Sequence, residues 1–249
     1  MKKFGEAYGD QQLGELTVDT ILDFLNRLTE GCKPQTKRIR YGHLAVFFNF
    51  IKNNIIEDFI SPCDSKMLRK LYRPKVTLQW DILEKETIDE IISRTTNARD
   101  RLLLELMARG DMRVGEVLKL TPRDVQNRKL IIRDPKSGRE QETIFIPQKV
   151  AERLREYVRA NKIRSHEKIF PICNEAAWAI VKNAGEMVNI HLRPHDLRRY
   201  AATCASRCGV PLEIVSKVIL RHSNPSTTQM YLGKISEAEA MKWIENLYA

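Results

Sequence analysis

The sequence predicts a mainly α-helical protein with one small antiparallel sheet, divided into two parts. Apolar residues recur at helical spacing along most of the chain, one pair of β-branched runs flanks a turn, and a basic stretch from Lys66 to Lys75 separates two patterned regions. The 249 residues suffice for a sizeable core in one domain or in two. The patterning favours two, at 1–77 and 78–249.

In the first region Met1 to Gly14, with Gly5, Gly9 and Gly14, reads as the end of a helix and a loop. Ile21, Leu22, Leu25 and Leu28 then form one helical stripe, and Tyr41, Leu44, Phe47, Phe48 and Ile51 form a second. Between them Pro34 breaks the chain, and Lys33, Lys37, Arg38 and Arg40 sit at a helix start, where the macrodipole disfavours positive charge. Either that run is a solvated face or an external anion uses it. Ser65 to Leu71 suggests a further helix, inside the basic stretch that carries Lys70 and Arg73 and leads to the linker.

The second region predicts helices near Glu84 to Ser93 and Ala98 to Arg109, then a shorter one from Arg113 to Leu120, stopped by Thr121-Pro122. Leu130 to Arg133 and Thr143 to Ile146 flank Asp134 to Arg139 as a hairpin with a basic loop, Lys136 near its turn. Helices resume after Pro147, around Ala176 to Val188 and from Pro194 to Gly209, with proline in the first turn and glycine after the last. A last helix, with Ala238, Met241, Trp243, Ile244 and Leu247 on one spacing, suggests docking.

Charge narrows the partner. Lys and Arg number 42 against 32 Asp and Glu, a formal +10, which favours nucleic acid or an anionic membrane. No run of 18 apolar residues exists and the N-terminus lacks a signal-peptide core, so a cytoplasmic protein without a membrane role is expected. The five cysteines, odd in number and irregularly spaced, fit neither a disulfide framework nor a zinc pattern and read as ordinary buried thiols. There is no Walker-type glycine loop, HExxH or carboxylate cluster fit for Mg²⁺, so no metal, other cofactor or small-molecule substrate is expected.

Pro194 starts a helix on which His195 and Arg198 lie three apart, on one face, where both could meet one phosphate. A His-x-x-Arg pair alone is equally a capped helix with a surface arginine. Its company carries more weight: Arg113 with Glu116 one turn on, Lys136 in the hairpin, then His222 and Tyr231. Phosphate-binding cations are thereby gathered around a single candidate nucleophile, as phosphoryl transfer at DNA requires.

These residues resemble the tyrosine recombinase (phage integrase, Xer-type) family, from about Leu83 to the end. The first box is Gly110-Asp111-Met112-Arg113-Val114-Gly115-Glu116, the second His195-Asp196-Leu197-Arg198-Arg199, and the third Leu220-Arg221-His222 through Ser226-Thr227-Thr228-Gln229-Met230-Tyr231. The resemblance implies a catalytic domain preceded by a helical, SAM-like DNA-binding domain. It implies a site-specific recombinase that cuts and rejoins double-stranded DNA without metal or ATP, through a 3′-phosphotyrosyl bond to Tyr231. Arg113 and Arg198 would hold the non-bridging oxygens, His222 would add a donor, Lys136 would protonate the leaving 5′-oxygen, His195 would act as base, and Glu116 would orient Arg113. It also implies a homotetramer on nucleoid DNA, with the last helix docked on a neighbour or on its own domain. Lys33, Lys37, Arg38, Arg40, Lys70 and Arg73 would then meet the DNA backbone.

The sequence departs from the family at Asp111 and Arg221, where glycine is usual. If either position needs a positive φ the substitution adds strain, and Arg221 is also a candidate phosphate contact. The N-terminal unit looks short of its first helix, as if the chain began late or were a natural short form with a weakened clamp. The other classes to weigh are a DNA-binding protein that kept the fold without the chemistry, and a topoisomerase-like relaxing enzyme.

Overall fold

The computed structural model describes residues 1–73, 82–135, 138–222, 224, 227–228, 232, 241 and 244–245. It divides into two compact units, Met1–Thr77 and Leu78–Ala249.

The first unit is four helices: α1 (Lys2–Tyr8), α2 (Val18–Leu28), α3 (Pro34–Asn54) and α4 (Lys66–Leu71). Where the glycines suggested only a helix end and a loop, a seven-residue helix forms. Phe4 anchors it, meeting the rings of Phe24 and Phe48 edge-on at centroid distances of 5.1 and 5.8 Å. Thr17 caps α2 by accepting from the Thr20 N–H, Ser65 caps α4 by accepting from the Met67 N–H, and α3 begins on Pro34, whose missing N–H costs a first turn nothing. The core is Ile21, Phe24, Leu25, Leu44, Phe48, Ile51, Phe59 and Leu68, as both helical stripes require.

The second unit is built around α6 (Ala98–Arg109), whose residues Leu102 to Ala108 are all buried. A helix apolar on every side has to be enclosed. Packed against it are α5 (Lys85–Arg94), the one-turn α7 (Val114–Val117), α8 (Gln148–Ala160), α9 (Asn174–Glu186) and α10 (Pro194–Arg207). The one polar residue in that stretch, Glu105, accepts from Arg153 Nε and Nη2 on α8 at 2.9 and 2.6 Å. The sheet has three antiparallel strands, β1 (Val125–Gln126), β2 (Lys129–Arg133) and β3 (Gln141–Phe145), one more than the expected hairpin. Leu130 pairs with Ile144 and Ile132 with Glu142 on the inward face, so a carboxylate occupies a core position. After α10 the chain makes a short turn, α11 (Leu212–Ile214), and widens into a π-helical segment at Val215–Leu220.

The cysteines correct the sequence reading. Cys63 is buried, but Cys173 and Cys208 are exposed and Cys32 and Cys204 are partly so, because each of those four falls at an element end or on a helix flank. Tyr200 packs in the core as expected. Lys136, Tyr231 and most of the expected last helix lie outside the described residues.

Leu103 is fully enclosed on α6. Leu103→Ala should cost about 2–5 kcal/mol in a urea unfolding curve, because neighbours on every side hold the cavity open.

Candidate active site

The site forms where four elements converge: the turn after α6, the start of α7, the first turns of α10, and the end of the π segment. Gly110 ends α6 beneath β3, and a Cβ there would stand 2.7 Å from the Leu106 carbonyl and 2.9 Å from Ile146 Cγ2. The next residue, Asp111, takes a left-handed φ of 53°. This reverses the chain and delivers Arg113 as the N-cap of α7. Glu116 accepts from the Arg113 backbone N–H at 2.9 Å and from its Nη1 at 2.7 Å, so one carboxylate closes the helix start and fixes the guanidinium. The Arg113 side chain keeps 29% of its surface exposed.

Arg198 is the largest fully buried side chain, 1% exposed. Its Nη1 donates to the Asp111 carbonyl and its Nη2 to the Leu220 carbonyl, while Asp111 Oδ2 lies 3.1 Å from Nη1. Nε, though buried, meets no acceptor among the described residues. Sequence spacing placed His195 and Arg198 on one face of the first turn of α10. The long Arg198 side chain turns into the core from there, while His195 stays exposed.

Arg221 closes the other side, also left-handed at φ 56°. Its Nε donates to Glu142 on β3 and its Nη2 to Glu116, each at 2.9 Å, and its Nη1 donates to the Ile219 carbonyl at 3.0 Å. The expectation of a phosphate contact at Arg221 is therefore overturned, since this guanidinium is buried and held by two carboxylates. Both departures from glycine do fall at positive φ, and each side chain there makes buried ion pairs. Glu142 escaped the sequence reading. Its signal was a carboxylate at an inward position of an otherwise apolar strand face.

His222 follows, its Nδ1 3.0 Å from Thr228 Oγ1, which in turn donates to Ser216 Oγ at 2.9 Å. Partial burial, then the nearby Arg198, Arg113 and Arg221, push its imidazole down to about 4. His195 is lowered as well, by partial burial and then by Arg199, Arg198 and Arg113. Both shifts favour the neutral imidazole.

Arg113, Glu116, His195, Arg198 and His222 are accordingly brought together. In the first unit Lys33, Arg38, Arg40, Lys70 and Arg73 are exposed and Lys37 is partly so. Among the described residues no group of three or more His, Cys, Asp or Glu could hold a metal ion, and no helix is long and apolar enough to cross a membrane.

Residues 81–237 match the family described as "Phage integrase family". Tyrosine recombinase XerA of Pyrococcus horikoshii is 32% identical over 177 residues, covering 65% of this chain and 60% of that protein. XerA of Saccharolobus solfataricus is 27% identical, and the match spans 50% of its length. The match thus takes in less than two thirds of these relatives. XerA of Thermococcus onnurineus is 29% identical over 88% of this chain and 78% of its own. Among solved structures, the Tn1549 transposon integrase in complex with transposon right end DNA superposes with a TM-score of 0.69 at 16% identity, covering 96% of this chain and 87% of that one. The XerH recombinase bound to palindromic difH substrate gives 0.70 at 19%, covering 100% and 75%.

Arg221→Ala should cost about 3–5 kcal/mol of stability, because it strands the buried Glu116 and Glu142 carboxylates. His222 predicts a pH effect. Its folded value of about 4 lies below the ordinary 6.5, so its stabilising contribution is present above pH 6.5 and fades as pH falls toward 4. From pH 7 to pH 5 the native chain should lose more stability than His222→Asn, measured by urea unfolding. Asp111, which titrates with the opposite sign, is common to both chains.

Proposed function

Because the chain belongs to the phage integrase family, we propose that it is a site-specific DNA recombinase that breaks and rejoins strands through Tyr231. The observation that carries this reading is the pair of arginines, Arg113 fixed by Glu116 and opening to the surface, Arg198 sunk beneath with an unmatched Nε–H. A buried donor without an acceptor fits a ligand oxygen. Two guanidinium groups facing one phosphodiester stabilise the charge that builds on its non-bridging oxygens in the transition state.

The Tyr231 phenol, ordinarily near pKa 10, attacks phosphorus as its proton passes to a base. His195, whose lowered pKa favours the neutral imidazole, suits that role. The P–O5′ bond breaks, Lys136 gives the departing 5′-oxygen a proton, and the 3′-phosphate stays on Tyr231. A 5′-hydroxyl from a second duplex reverses each step, so rejoining needs no ATP. His222, propped by Thr228 and Ser216, would add a donor to the same phosphate.

The exposed cations of the first unit (Lys33, Arg38, Arg40, Lys70, Arg73), with Lys37, would hold the backbone of double-stranded DNA. Strand exchange between two duplexes calls for a homotetramer, with the C-terminal segment docked on a neighbouring copy, working on chromosomal DNA in the cytoplasm. The Xer recombinases it resembles, and the DNA-bound integrases among its structural neighbours, support DNA as the partner.

Purified protein incubated with supercoiled DNA that carries the flanks of its own gene should give a slow covalent adduct on a denaturing gel. The Tyr231→Phe variant should give none. DNA binding without any adduct from the native chain would point to a fold retained without its chemistry.

A further inference from the structure

Asp111 gives Arg198 two oxygens from one position. Its left-handed backbone turns the carbonyl and the carboxylate toward the same nitrogen, so Nη1 donates to the carbonyl and lies 3.1 Å from Oδ2. The two contacts differ in kind. The carbonyl accepts a hydrogen bond, whereas neither carboxylate oxygen accepts one among the described residues, although the side chain is only 3% exposed. An ionised carboxylate so buried is held by charge alone, in a setting where the missing hydrogen bonds are expensive.

The charges facing it come from each surrounding element: Arg198 on α10, Arg221 after the π segment, and Glu116 and Arg113 at α7. Arg221 is already taken by Glu116 and Glu142, and Arg113 by Glu116. Asp111 is therefore the resident anion of Arg198 in particular. Burial, opposed by Arg198 and Arg221, pushes its carboxyl up to about 7, so near neutrality it gains or loses a proton readily.

One donor, Arg198 Nε, and two acceptors, Asp111 Oδ1 and Oδ2, are thus left unmatched at one guanidinium and do not meet each other. A phosphate oxygen would satisfy the donor, but it would also bring a second anion to a cation that already has one. Like charges sharing a site do not both stay ionised.

We propose that Asp111 is a positioning residue for Arg198 that exchanges its negative charge for that of the scissile phosphate, taking one proton from solvent as the phosphate docks. Its backbone carbonyl holds Nη1 throughout, so the guanidinium keeps its place while its counter-ion changes. This rests on the reading of Arg198 as a phosphate ligand in a recombinase.

The test uses the full chain labelled with carbon-13 at aspartate carboxyls, with dimethyl phosphate as a phosphodiester probe whose own charge is constant from pH 6 to 9. A carboxyl signal absent from Asp111→Asn should titrate near neutrality in the free chain and shift upward with the probe. If that shift is about one pKa unit, the probe binds about tenfold more tightly at pH 6 than at pH 9. Asp111→Asn and Asp111→Gly, both compatible with a left-handed backbone, should bind it with little pH dependence and match the native low-pH affinity at pH 9. The proposal is overturned by an Asp111 signal that ignores the probe, or by variants that keep the native pH dependence. An adduct on Tyr231 alongside an indifferent Asp111 sinks this proposal alone. A responsive Asp111 in a chain that forms no adduct sinks the recombinase reading alone.

Discussion

The second unit is organised by the need to keep a guanidinium, that of Arg198, inside its core. Arginine does not lose its charge on burial, so its surroundings have to supply oxygens. They come from elements far apart in sequence: the carbonyl of Asp111 after α6, the carbonyl of Leu220 at the end of the π segment, and the Asp111 carboxylate. Each carbonyl is available because its segment departs from regular helix there. The requirement thus ties the end of α6, the first turns of α10 and the π segment into one assembly, and Arg113 and His222 lie two residues beyond Asp111 and Leu220.

Around Arg198 lies a shell in which cations and carboxylates alternate: Arg113 with Glu116, Glu116 with Arg221, Arg221 with Glu142. Such a shell stiffens the site more than it stabilises the fold, since buried ion pairs recover little beyond their desolvation. Stiffness matters for phosphoryl transfer, where donors already in place need no reorganisation as charge develops. Glu116 is the hinge of the arrangement, because it serves both guanidinium groups and the start of α7.

Much of this was legible beforehand. The helical stripes gave both cores, the alternation of Leu130, Ile132 and Ile144 gave the inward sheet face, and Pro194 gave the start of α10. Motif order brought Arg113, Glu116, His195, Arg198 and His222 to one place. What spacing could not convey was depth. Positions three apart on a helix share a face, but only tertiary packing decides that Arg198 enters the core while His195 remains at its edge. The role of Arg221 was hidden for the same reason, because its partners come from Glu142, 79 residues earlier, and from Glu116, 105 residues earlier. The left-handed backbone at Asp111 and Arg221 was suggested by where they stand in their motifs, while the buried ion pairs their side chains make were not.

The π segment has a consequence for how this region tolerates change. At Val215–Leu220 the wide turn bends the chain so that the Leu220 carbonyl reaches Arg198, and the His222 N–H returns six residues to the Ser216 carbonyl at 2.9 Å. Such segments carry one residue more than an α-helix over the same path. Losing a single residue here would let the helix tighten to its more stable form, yet each residue in a helix turns about 100°, so His222 would rotate away from Arg198. The segment is therefore permissive in residue type and strict in length: substitutions on its exposed side leave the site in register, whereas a one-residue deletion, even one that stabilises the helix, dismantles it.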